Sequence, residues 1–107
     1  MLKALVNVAA SQTDSELIAA RTGKVIKVYG FMLTSVANTQ FTFNSKGAGA
    51  GVAISMLVTV PTVNAVVFPL LSHPNSYFDT ASGESLTSTS GTGNNVRGIV
   101  FYQYVNP

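Results

Sequence analysis

The chain has 107 residues, of which 47% are hydrophobic and 9% charged, with a formal net charge of +2. A soluble domain normally carries about a quarter charged residues, and so short a chain cannot hide this much apolar side chain in one core while covering itself with charge. The length allows one domain, spanning 1–107, and the absence of cysteine excludes a disulfide framework and zinc–thiolate sites.

Ser, Thr and Asn replace the missing charge and supply more than a quarter of the residues. Such a surface suits a protein packed against other protein. A secreted domain of this size often carries disulfides, so their absence points to an intracellular origin. Lys3, Arg21, Lys24, Lys27, Lys46 and Arg97 are scattered along the chain, unlike the clustered basic face of a nucleic-acid binder. No apolar stretch approaches the ~18 residues of a membrane span.

MLKALVNVAASQ opens the chain with a lysine, a short apolar run and small residues, in the manner of a signal peptide. Asn7 breaks the run before it reaches h-region length. Leu2, Ala4, Val6 and Val8 alternate with Lys3 and Asn7, which predicts a first strand over 2–8. Thr13-Asp14-Ser15-Glu16 then has capping-box spacing ahead of Leu17–Ala20. Too few residues precede Gly23 to sustain a helix, so a strand over 16–20 turning at Thr22-Gly23 is preferred. Arg21, Lys24 and Lys27 lie close together there and read as a solvated hairpin end rather than a phosphate site.

The next strand, 24–35, breaks simple alternation. Val25, Tyr29, Phe31 and Leu33 fall on one face, and Ile26, Val28 and Met32 on the other. A strand apolar on both faces is covered on both faces. Within 107 residues, a second subunit is the simplest cover for the face that does not meet the opposing sheet. A turn at Ala37-Asn38 leads to a strand over 39–45, where Phe41 and Phe43 alternate with Gln40, Thr42 and Asn44. The run Gly47, Ala48, Gly49, Ala50, Gly51 invites a phosphate-loop reading. No Gly-Lys-Ser/Thr follows it and no helix N-terminus flanks it, so it reads as an inter-strand loop able to touch a partner.

Strands over 52–60 and 64–68 come next, separated near Pro61. His73, the one histidine, sits between Ser72 and Pro74 in a loop. Any Ser-His-Asp grouping with Asp14 or Asp79 has no motif behind it, and one His with four carboxylates gives no metal-ligand spacing. Asp79 and Glu84 flank a turn between strands over 76–80 and 84–90, and read as hairpin polars rather than a glycosidase pair. The polar stretch Leu86–Ser90 and the following Gly91–Asn95 could form a lectin-like surface, although tryptophan is absent. The last strand, 96–105, again has two apolar faces. Ile99, Phe101 and Val105 oppose Val100, Tyr102 and Tyr104, and tyrosine is enriched at interfaces.

Eight or nine strands with such spacing predict an all-β, antiparallel, jelly-roll-like β-sandwich. The opening Val6–Asp14, the hairpin Leu17–Val28, Phe43–Gly47 and Ser82–Leu86, followed by a hydrophobic closing strand, resemble small β-sandwich structural proteins of tailed bacteriophages, of the head decoration or cement type. The resemblance covers nearly the whole chain. It implies a virion structural role on the capsid exterior after synthesis in the host cytoplasm, with the major capsid protein as partner. It brings no catalytic, cofactor-binding or metal residue, no nucleic acid and no membrane.

Taken with the two-faced strands, it predicts a homotrimer, with Met32, Tyr102 and Tyr104 as candidate self-association residues. The candidate shell contact is Gly47–Gly51, at an end of the sandwich shared with Gly91–Asn95 or the N-terminal segment. A head-fibre or tail module, a carbohydrate-binding module on a host-recognition appendage, and a small enzyme are the alternative readings.

Overall fold

Alternating β-branched and aromatic residues favour a pleated, half-buried surface, and the chain spends its length on that pattern. The computed structural model describes residues 1–62, 65–93 and 95–107. Among them lie ten strands and no helix: β1 (Leu2–Val8), β2 (Ser15–Ile18), β3 (Val25–Ser35), β4 (Thr39–Lys46), β5 (Val52–Ala53), β6 (Val58–Val60), β7 (Val66–Phe68), β8 (Phe78–Asp79), β9 (Ser85–Ser90) and β10 (Val96–Val105). The start of the expected strand 64–68 lies outside the described residues. The capping-box segment is a strand, and Asp14 there has φ +51°, which a helix does not accommodate.

Two antiparallel sheets result. One has the order β1-β10-β3-β7, with β8 also on β3; the other has β2-β9-β4-β5, with β6 also on β4. Counting β5/β6 and β7/β8 as two interrupted strands gives eight, ordered 1-8-3-6 and 2-7-4-5, the double Greek key of a jelly roll. The expected fold class is therefore observed. The inner faces meet in a core of Val6, Val8, Ile26, Val28, Phe31, Leu33, Phe41, Phe43, Leu86, Val96 and Val100, among others.

Three sequence expectations change. The expected strand 52–60 is split into β5 and β6, because the Ser55 hydroxyl accepts the Phe43 N–H at 2.9 Å and takes a ladder position that a backbone carbonyl would otherwise fill. In β3 the pairing slips by one residue: Phe101 faces Gly30 and Tyr102 faces Val28. Tyr29 is thus the extra residue of a β-bulge, which resets the alternation. Ile26, Val28, Phe31 and Leu33 all reach the same core, so β3 does not present two apolar faces. Third, the polar β9 is not a surface. It is paired on both sides, by β2 and β4, and Thr87, Ser88 and Ser90 are buried, which removes the lectin-like reading of that strand.

Candidate functional site

The outer face of the first sheet is built by strand order, which brings together residues far apart in sequence. Leu5 pairs with Ile99, Ile99 with Met32, and Met32 with Val67. These four form one cross-strand row over all four strands, and all four are apolar. Leu5 is 81% exposed, Val67 58% and Met32 42%, and Leu70 beside them is 60% exposed. The next row places Phe101 between Lys3 and Gly30. Polar rows bound the band: Asn7 with Arg97 and Thr34 on one side, and Gln103 with Lys27 on the other. Lys27 forms a salt bridge with Asp79 at 2.9 Å. An apolar centre inside a polar rim is the anatomy of a protein–protein contact.

Of the three candidate self-association residues, Met32 lies on this face. Tyr102 and Tyr104 lie on the inner side of β10, packed against the core cluster. Their rings meet edge to face at 5.6 Å, and the Tyr104 hydroxyl donates to the Ala19 carbonyl at 2.6 Å. The residues that the sequence reading missed are Leu5, Val67 and Leu70. Leu5 does alternate outward with Lys3 and Asn7 in the sequence, and an apolar residue in a polar register was the available signal.

The second sheet turns a different surface outward. Asn44 donates from Nδ2 to Asp14 Oδ1 at 3.1 Å and to Thr89 Oγ1 at 2.8 Å, and Thr87 donates to Asp14 Oδ1 at 3.2 Å. The Gly51 N–H donates to Asp14 Oδ2 at 2.9 Å. This last bond is the main cause that lowers the Asp14 pKa below its ordinary value; burial opposes it, and the Thr87 and Asn44 bonds and the charge of Lys46 assist. Asp14 therefore latches the β1–β2 connection to the start of β5.

The two loops proposed to share one end of the sandwich lie at opposite ends. The Gly91 N–H donates to the Gln40 carbonyl at 2.8 Å, at the start of β4, whereas Gly47 follows Lys46 at its close. The N-terminus shares the Gly47 end: Leu2 pairs with Tyr102, while the Gly83 N–H reaches the Lys24 carbonyl at 2.8 Å. Gly47–Ala50 are exposed. Asn94, inside the other loop, lies outside the described residues.

The groups weighed for chemistry have other occupations. His73 Nδ1 meets the hydroxyl of the fully buried Tyr29 at 2.6 Å, so the histidine has a partner that the sequence did not reveal. Burial raises the Tyr29 pKa. Glu84 accepts the Ser45 hydroxyl at 2.7 Å, and Asp79 holds Lys27. Arg21 lies 4.0 Å over the Tyr104 ring, and Lys24 Nζ donates to Asn106 Oδ1 at 2.6 Å. The three cations of the hairpin end thus have separate partners. Among the described residues no three His, Asp or Glu gather as metal ligands, and no helix is long and apolar enough to cross a membrane.

An apolar pocket of about 230 Å³ opens between the broken edges, over Phe31, Phe68, Tyr77, Phe78 and Met56. It is below the ~300–1,000 Å³ of ordinary ligand sites. The hydroxyl of Ser55 in its lining is already spent on Phe43 and the Met56 carbonyl. Comparison of the chain with family models, with curated protein sequences and with solved structures finds no match.

Proposed function

We propose that this protein is a virion structural component, a head decoration or cement protein that self-associates on the capsid exterior and binds the major capsid protein. The observation that carries the self-association is the outer-face row Leu5–Ile99–Met32–Val67, exposed at all but Ile99, on a domain with so few charges. The virion context rests on the resemblance of its turns and strands to phage structural proteins. The action is mechanical. A symmetric oligomer, such as the homotrimer expected from the sequence, bridges neighbouring capsid subunits and adds interface to each, so releasing one subunit breaks several contacts.

Shell contact is assigned to the sandwich end that carries Gly47–Gly51, the N-terminus and the turn at Gly83. Small residues there allow close backbone approach. The test is binding of the purified protein to undecorated heads across a salt series. A contact made with so few charges should lose less than about tenfold in affinity between 50 and 200 mM salt, where a phosphate-reading surface loses ~10³–10⁵. Bulky substitutions at Ala48 and Ala50 should abolish binding. No binding to heads, or strong salt dependence, would refute the decoration role; binding to purified tails instead would favour the head-fibre or tail alternative.

A further inference from the structure

A sheet edge exposes a row of backbone N–H and C=O groups, and folded proteins blunt such edges with short strands, bulges, prolines or charge. The edges here are unequal. At the far side of the first sheet, β7 has three residues and β8 two; in the second sheet β5 has two residues and β6 three, and β2 has four with a register shift. β1 is different. It has seven residues, no proline, a single charge at Lys3, and an unbroken register with β10 from Leu2 to Val8. Among the described residues no strand pairs with its other side.

We propose that β1 is the self-association edge, and that its occupant is β1 of a second copy of this chain, paired antiparallel about a two-fold axis through Leu5. The proposal rests on the self-association reading above and specifies its surface. The argument is the polarity of the strand, which is palindromic about Leu5. In this register Leu2 lies opposite Val8 of the second copy, Lys3 opposite Asn7, Ala4 opposite Val6, and Leu5 opposite Leu5. Every apolar residue meets an apolar one. Lys3 meets a neutral amide oxygen rather than another lysine, which avoids the like-charge pairing that destabilises sheets. A one-residue slip would set the inner face of one copy against the outer face of the other, and a two-residue slip would set Lys3 against Leu5.

The pairing also joins the two exposed rows. Val67, Met32, Ile99 and Leu5 continue into Leu5, Ile99, Met32 and Val67 of the second copy, one apolar row across eight strands. An isologous contact of this kind closes with two copies, so the expected assembly is a dimer where the sequence reading expected a trimer.

Leu5 is a clean probe because its side chain is 81% exposed, so replacing it should leave the domain folded. Sedimentation velocity of the intact protein at micromolar concentration should give twice the 11.2 kDa chain mass. Leu5→Lys places two ammonium groups side by side on the axis and removes the Leu5–Leu5 cross-strand contact, so the dimer dissociation constant should rise about tenfold or more. Leu5→Glu should do the same, and an equimolar mixture of the two variants should recover the dimer. The chain has no cysteine, so Lys3→Cys mixed with Asn7→Cys should crosslink under mild oxidation, while Lys3→Cys alone should not.

A monomeric or trimeric wild type, a dimer unmoved by Leu5→Lys, or no recovery on mixing would overturn the edge pairing. Head binding by the wild type reports separately on the virion role: an oligomer of another geometry that still binds heads leaves that role standing, and a dimer that ignores heads refutes it alone.

Discussion

Replacing His73 separates two effects that are easily confused, the loss of a hydrogen bond and the stranding of a buried polar group. Tyr29 is the residue inserted at the β3 bulge, has no exposed surface, and shares a hydrogen bond between its hydroxyl and His73 Nδ1 at 2.6 Å. The sequence shows no partner for His73; the structure supplies one. His73 itself is exposed, so alanine opens a path by which water reaches the hydroxyl, and the cost falls at the low end for a hydrogen bond, ~0.5–1 kcal/mol. His73→Phe keeps the cover and removes the hydrogen-bond partner, which leaves a buried hydroxyl unpaired at ~1–3 kcal/mol.

For a domain of this size 1 kcal/mol moves Tm by about 4 °C. His73→Phe should therefore lower Tm by about 4–12 °C, and His73→Ala by about 4 °C or less. Tyr29→Phe in the His73→Phe background should recover most of the loss, because no hydroxyl is left to strand. Differential scanning calorimetry at neutral pH makes the comparison. A His73→Phe variant as stable as wild type, or an alanine variant worse than the phenylalanine one, would refute the reasoning.

Ser88 Oγ is buried without a hydrogen-bond partner, so Ser88→Ala should raise stability by up to about 1 kcal/mol, seen as a higher urea midpoint at unchanged m-value. At Gly98 a Cβ would run into the Met32 carbonyl on β3, so Gly98→Ala must push β10 away from β3 and should cost about 1–3 kcal/mol in the same titration. Asp14 has a folded-state pKa below its unfolded value, so its contribution is full above the unfolded pKa and is lost as pH falls through the folded one. Asp14→Asn, which keeps a residue tolerant of positive φ, should lower stability at neutral pH and flatten the stability–pH curve on the acid side.

Period-two alternation carried most of the strand layout. The expected 2–8 and 96–105 match β1 and β10, and 39–45 and 84–90 differ from β4 and β9 by one residue each. The two faces were less legible. An extra residue in β3 shifts every later side chain to the other face, and the only hint is Gly30, since glycine inside a strand often marks a bulge. β9 was misread because serine and threonine look exposed in a sequence. Here their hydroxyls are largely satisfied from other strands and loops: Thr87 bonds Asp14, Thr89 accepts from Asn44, and Ser90 donates to the Ala9 carbonyl. The candidate surface was the least legible feature. Leu5, Ile99, Met32 and Val67 form a row only once the strand order is known, and an apolar residue with exposed surface is ordinary when it stands alone.

The two outer faces have opposite energetics toward a partner. A surface laid over the second sheet would desolvate Asp14, whose donors Gly51, Asn44 and Thr87 already satisfy it; that costs free energy and returns no new bond. A surface laid over the first sheet meets apolar groups. Leu5, Met32, Val67 and Leu70, exposed by 42–81%, would contribute about 1–2 kcal/mol each on full burial, or roughly 5 kcal/mol together. Association of two proteins costs an estimated ~4–15 kcal/mol in lost translational and rotational freedom, so the row by itself does not hold two free copies together. The pairing proposed along β1 is a separate contact, made through backbone hydrogen bonds and the β1 side chains, and does not depend on covering this row. The row therefore favours the first sheet over the second as the face toward a further partner, and it becomes effective where another contact has already brought that partner close.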